Sequence, residues 1–225
     1  MNEGEDRGQS HNSIDFFGRV TASISHEMKN VMAIINENAG LIEDLALMAE
    51  KGRPLDVKRV KTLAGKIRVQ VQRGDGIVRN MNRFAHSIDI PVDRVDLCEL
   101  LELMVMLAQH AATMKSISLE AKAAPDKIII NTRPFILENL IWFCLMSIMG
   151  SDPSPRTIIV VPESVLKKGV QVRFTGFYGH PLSKDNTFLK QAKEQFLKYL
   201  EGDLIIDSAS DEIVIVLPGN ISAGS

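Results

Sequence analysis

Residues 20–45, VTASISHEMKNVMAIINENAGLIEDL, place apolar or small side chains at Val20, Ile24, Met28, Val31, Ile35, Ala39, Ile42 and Leu45. Steps of three and four residues are the spacing that an α-helix gathers into one stripe. Begun at Phe17, the pattern predicts a helix of roughly 50 Å at ~1.5 Å per residue. Residues 51–55, KGRPL, break it with Gly52 and Pro54, and Val60, Leu63, Ile67, Val71, Val78, Met81 and Phe84 then rebuild the spacing. Two long amphipathic helices joined by a short loop make an antiparallel hairpin. Each helix needs more apolar cover than one partner supplies, and pairing two hairpins in a four-helix bundle provides it. A homodimer is expected.

His26 sits two residues past Ile24, a rotation of roughly 200° that turns it from the stripe toward water. Asn30 follows one turn later on the same face, and Glu27 flanks the imidazole. With the loop centred near Arg53, antiparallel pairing brings Asn80 level with His26 and adds Arg83 to a polar, cationic rim. An exposed imidazole beside a carboxylate suits a nucleophile, because a neutral ring nitrogen is available near pH 7 and the acid orients or accepts the other ring proton. Most surface histidines do no chemistry, so on geometry alone a merely solvated His26 is the commoner case.

A chain of 225 residues holds one large domain or two small ones. With 26 Lys and Arg against 28 Asp and Glu, the net charge of -2 gives no field that argues for nucleic acid or a membrane surface. Cys98 and Cys144 form no C-x-x-C and have no histidine at ligand spacing, so neither a zinc site nor a disulfide framework is indicated. That usage fits a reducing cytoplasm. No apolar run reaches the roughly 18 to 20 residues that span a bilayer, and the start, MNEGEDRGQSHNS, has no signal-peptide core.

Residues 1–13 are expected as a disordered tail, 14–88 as the hairpin, and 89–225 as a second domain. Residues 87–95, SIDIPVDRV, carry Pro91 and mark the boundary as a linker or edge strand. Asp96 and Glu99 read as a capping box that opens a helix over 97–114. Strand-like runs at 117–121, 127–130, 157–161, 170–174, 204–206 and 213–217 interleave with helices at 134–149 and 183–200. That mixture makes an α/β sandwich with helices on one face of a mixed sheet. The fold class is multi-domain, α followed by α+β.

The stretch SHEMKNVMAIINENAGLI, residues 25–42, resembles the phosphoacceptor box of bacterial two-component sensor histidine kinases. In that family the histidine takes a phosphoryl group, the next acid assists proton transfer, and the polar residue four beyond positions water for dephosphorylating the partner. The resemblance gives those roles to His26, Glu27 and Asn30. GIVRNMNRFAH, residues 76–86, is similar to the family's second dimerisation helix. PFILENLIWFCLMSIMG, 134–150, takes the place of the N-box helix of its ATP-binding domain, and 197–219 resemble the closing helix, strand, turn and strand.

The nucleotide chemistry departs from the family. Its N-L-x-x-N-A motif, whose second amide holds magnesium, has Phe143 and Ser147 at the corresponding positions, and a phenyl ring offers no oxygen to a hard cation. Its D-x-G-x-G motif is replaced by RFTGFYGH, residues 173–180, with Phe174 or Thr175 where the acid belongs and Gly176 and Gly179 three apart instead of two. A glycine pair in such a turn is explained by backbone geometry alone. No G-x-G-x-x-G cradle occurs in 184–200. Phosphoryl transfer from ATP rests on positioning and on charge neutralisation, so the resemblance implies a degenerate ATPase domain without kinase activity.

The function this implies is a bacterial histidine phosphotransferase that passes a phosphoryl group between receiver-domain aspartates through His26. It needs no ATP and no cofactor of its own, the receiver bringing its magnesium. Receivers in this family dock beside the bundle below the histidine, which implicates Ala33, Ile34, Asn80 and Arg83. A non-catalytic adaptor, a response-regulator phosphatase using Glu27 and Asn30, and an atypical sensor kinase are the alternatives. Among other residues, His86 suits a helix C-terminus, and His11, His110 and His180 make no metal pair. The methionines read as core packing. Lys58, Arg59, Lys61, Lys66, Arg68, Arg73 and Arg79 form a solvated face or steer an acidic partner.

Overall fold

The computed structural model describes residues 3–150, 156–165, 169–177, 187–207 and 210–221. Packing divides the chain into two compact units, Thr21–Arg83 and the combination of Met1–Val20 with Phe84–Ser225.

The first unit is a helical hairpin built from α1, Glu3–Glu50, and α2, Val57–Ser87. Gly52 closes α1 at φ 83, a conformation open to glycine and strained for other residues, while Arg53 N donates to Met48 O at 3.1 Å. The Asp56 carboxylate accepts from Arg59 N at 2.9 Å and so caps the start of α2. Val31, Leu63 and Ile77 are buried. At Gly74 the helices run close: a Cβ there would lie 3.5 Å from Val31 Cγ1 and 3.9 Å from Met28 Sδ. That contact fixes the inner face of α2, and it differs from the expected one. Val71, Val78 and Met81, which the spacing placed on the stripe, are 48%, 46% and 42% exposed.

Two boundaries also differ. Helix begins at Glu3 where a disordered tail was expected through residue 13. Nucleation is the costly step of helix formation, so Glu, Arg and Gln residues propagate backward from the packed turn at Phe16. The units meet at Val20 and Phe84 and not at residue 88, because Phe16 is the anchor. Its ring lies 5.3 Å from Phe84 edge to face, and 5.7 Å from both Phe135 and Trp142. Phe16 is buried and Phe17, where the stripe was taken to begin, is 39% exposed. Two steps of four from Phe16 reach Val20 and Ile24.

The second unit is the expected sandwich. After β1, Asp93–Asp96, come α3, Leu97–Thr113, β2, Ile117–Ala121, β3, Ile129–Thr132, and α4, Pro134–Gly150. They are followed by β4, Arg156–Val165, β5, Gly169–Thr175, α5, Thr187–Ala192, a π-helical segment, Lys193–Leu197, α6, Lys198–Leu200, β6, Asp203–Asp207, and β7, Glu212–Leu217. The five-stranded sheet has the order β2-β4-β5-β7-β6, with β2 and β4 parallel and the other neighbours antiparallel, and β1 pairs with β3 as a separate ribbon.

Alternation along β5 sends Val170, Val172 and Phe174 into the core. Arg173 points to the other face, where it pairs with Glu163 of β4 at 3.1 Å and with Glu212 of β7. Hydrogen bonds donated to Glu163 and then Glu212 push the guanidinium pKa above its ordinary value. Helix α3 covers β2 and β4 and packs on α4. Leu137, Leu140, Ile141, Leu145 and Ile148 make α4 the centre of the core.

The Asp96 carboxylate caps α3, accepting from Cys98 N at 3.0 Å and Glu99 N at 3.5 Å. Strand β3 sits two residues beyond the expected 127–130, since Asn131 N donates to Gly219 O and Ile221 N donates to Asn131 O. That pairing extends polar residues with little strand preference of their own. Gly176 has φ 85, and a Cβ there would fall 2.0 Å from Thr157 O, so backbone geometry accounts for this glycine. Gly179, His180 and residues 183–186 of the expected last helix lie outside the described residues.

Candidate functional site

On α1, His26 is exposed between the buried positions Ile24 and Val31, and Asn30 is exposed one turn further on. The Glu27 carboxylate, with 30% of its side chain exposed, pairs with the Arg73 guanidinium of α2. Arg73 therefore holds the Glu27 carboxylate toward α2. The sequence reading counted Arg73 only among the cations of the second helix and set Asn80 and Arg83 opposite His26. The close approach at Gly74 was the one available signal, since a small residue on an inner helix face marks where the register is tightest. Ala33 is exposed, and Ile34 is half-buried with its carbonyl accepting from Asn38 Nδ2 at 2.7 Å. Asn80 is half-buried and Arg83 is exposed. An exposed imidazole is a side chain able to accept a transferred group.

In the second unit an aromatic ring, Phe143, stands at the first amide position of the expected motif and Ser147 at the second, the one the resemblance gives to magnesium. Phe143 stacks on Phe188 at 4.8 Å with 5° between the rings, and Phe196 lies 5.6 Å away. The Ser147 hydroxyl donates to the Phe143 carbonyl at 2.8 Å. Beside this stack runs a cleft of about 340 Å³ whose walls include Arg19, Asn139, Trp142, Phe143, Ser147 and Gln195. A smaller one of about 230 Å³ shares Asn139 and Phe196 and adds Arg133. The sequence reading singled out none of Arg19, Asn139, Gln195 or Arg133, whose convergence depends on how α1, α4 and the π-helical segment pack.

Among the described residues no group of three or more His, Cys, Asp and Glu side chains is placed to hold a metal ion. No described helix is long and apolar enough to cross a membrane. Burial pushes the Cys144 thiol above its ordinary range, while Cys98 is half-buried. His86 falls in the last turn of α2 and His110 in the last turn of α3.

No protein-family model matches the sequence, and no curated protein matches it. Solved structures do share the fold. The nucleotide-free catalytic domain of histidine kinase ThkA superposes with a TM-score of 0.51 at 10% identity, over 59% of this chain and 100% of that one. A second nucleotide-free form of the same domain gives 0.50, again at 10% identity over 59% and 100%. The histidine kinase AdeS of Acinetobacter baumannii spans 87% of this chain and 98% of its own at 12% identity, but its TM-score of 0.48 falls below the level that fixes a fold. The α/β unit thus has the fold of a histidine kinase catalytic domain.

Proposed function

We propose that the chain is a histidine phosphotransferase of a two-component phosphorelay, taking a phosphoryl group from one receiver aspartate onto His26 and passing it to another. The observation that carries this is the exposed His26 on a helical hairpin, beside a Glu27 held by Arg73. Support comes also from the loss of both amides of the expected motif, with the stacked Phe143 ring at the first and Ser147, whose hydroxyl donates to the Phe143 carbonyl, at the second, and from the fold shared with histidine kinase catalytic domains.

In the forward step the imidazole nitrogen attacks phosphorus in line, the bond to the aspartyl oxygen breaks, and the receiver keeps its carboxylate and its magnesium. Glu27 steadies the other ring proton. The hairpin pairs with a second copy, and the receiver docks over Ala33, Ile34, Asn80 and Arg83. On this account the protein works in the bacterial cytoplasm, on protein partners and not on nucleic acid or membrane. A phosphatase is the second reading, because Asn30 lies one exposed turn from His26 in a position to hold water.

One experiment separates them. Receiver domains labelled by a small phosphodonor are mixed with the wild-type protein and with His26→Ala. Label appearing on the wild type alone supports transfer. Inorganic phosphate released without labelled protein supports the phosphatase, and receiver binding with neither leaves an adaptor.

A further inference from the structure

Two lines of polar side chains run along the hairpin. On α1, Lys29, Asn36 and Glu43 follow one another at steps of seven, and on α2 Lys61, Arg68 and Asp75 do the same. Seven residues return a helix to nearly the same face, so each set forms one line. All six are exposed. Among the described residues Lys29, Glu43, Lys61 and Asp75 make no ion pair.

Each line borders an apolar one. Met32, Ala39 and Ala46 stand three or four residues from Lys29 or Glu43, and Val57, Val71 and Val78 three or four from Lys61 or Asp75, separations that share a helix side. Met32, Val57, Val71 and Val78 are exposed.

The two lines are also level. Gly74 approaches both Met28 and Val31, which sets Asp75 at the height of Lys29 along the hairpin. Since the helices run antiparallel, fourteen residues forward on α1 and fourteen back on α2 bring Glu43 to the height of Lys61. Glu27 and Arg73, which do pair within the chain, each stand two residues earlier, so the two lines are turned roughly 200° from that seam.

A second hairpin related by a two-fold axis along the bundle keeps these heights and sets α1 of each copy beside α2 of the other. The signs then match, Lys29 against Asp75 and Glu43 against Lys61, twice per dimer. A slip of seven residues sets Lys29 against Arg68 in one direction and leaves Asp75 facing Asn36 in the other, so the pattern favours one register as well as one partner.

We propose that these lines are a self-recognition seam, whose partner is a second copy of this chain held in register by Lys29–Asp75 and Glu43–Lys61 pairs beside the apolar stripes. The seam rests on the hairpin pairing of the proposed function and is independent of what His26 accepts.

The test exchanges signs on the full chain. One variant carries Lys29→Glu with Glu43→Lys and the other Lys61→Glu with Asp75→Lys, and assembly is followed by light scattering and native mass spectrometry at low salt. Either variant alone brings like charges together along both seams, so its dimer dissociation constant should rise at least about tenfold, a difference that added salt narrows. An equimolar mixture restores every pair and should give a heterodimer as tight as the wild-type dimer. A single chain with all four exchanges should again pair with itself. All four positions are exposed, and far-UV circular dichroism checks that the helices persist. A monomeric wild type would overturn the hairpin pairing and the seam together. A dimeric wild type whose variants remain as tight, or whose mixed variants are no tighter than either alone, would overturn the seam and leave the pairing standing.

Discussion

At His26 the chemistry asks for a ring nitrogen that a partner can reach and a neighbouring group that keeps the ring proton in place. On the proposed function Glu27 supplies the second, and Arg73, which pairs with it, sets its orientation. The pair is solvent-exposed, so it contributes about 0–1 kcal/mol to stability, and its value is orientation. Arg73→Ala is accordingly expected to lower the melting temperature by no more than about 3 °C and to slow transfer from a phosphorylated receiver several-fold. Glu27→Gln should slow it by about tenfold or more, as read by quenched-flow labelling. A second residue-scale test concerns the cysteines. Burial raises the Cys144 thiol pKa, so thiolate is nearly absent at pH 8, and iodoacetamide should label Cys98 in the native protein while reaching Cys144 only after unfolding. The exposure of His26 and Asn30 was legible because a helix fixes which positions share a face. Arg73 was not, because a contact across a hairpin depends on a register that the loop leaves open by a residue or two.

Among the elements, α4 decides what the second unit is able to do. Replacing Phe143 by Asn restores a family-like amide yet removes a ring stacked on Phe188. Lost packing and stacking amount to about 2–4 kcal/mol, so Phe143→Asn should melt roughly 5–10 °C lower and still show no binding of labelled Mg-ATP by equilibrium dialysis. Strand β2 appears at 117–121 as its alternation requires, and α3 starts where Asp96 caps it. Strand β3 is shifted because Asn131 and Thr132 are drawn in by pairing, and the π-helical segment has no marker in composition. Both arise from tertiary contacts. Side chains that meet only after packing, such as Asn139 with Gln195, escape any periodic pattern for the same reason.

For the whole molecule, the hairpin leaves several large apolar side chains exposed. Met32 is 59% exposed on α1, and Val71, Val78 and Met81 follow one another on α2 at spacings of seven and three, a stripe of the kind that marks an association site. On the proposed function its occupant is a second hairpin, which would complete a four-helix bundle. The wild type should elute at twice the chain mass by light scattering, and Val71→Glu with Met81→Glu should elute as a monomer with unchanged helical dichroism, since both positions already face solvent. The helical hairpin, the sandwich and their order were legible from spacing alone. Their packing boundary was not, because Phe16 lies one residue before the stripe as read, Phe84 is an ordinary stripe residue, and the two become an anchor only beside Phe135 and Trp142.

The most direct test is chemical identification of the acceptor. The wild-type protein is incubated with a phosphorylated receiver and magnesium, and separately with Mg-ATP, then digested at alkaline pH and mapped by mass spectrometry. The expected result is a phosphohistidine on the peptide containing His26 from the receiver incubation and none from Mg-ATP. Phosphate on His26 arriving from Mg-ATP, or a receiver that gives up its phosphate to no histidine of this chain, would contradict the account.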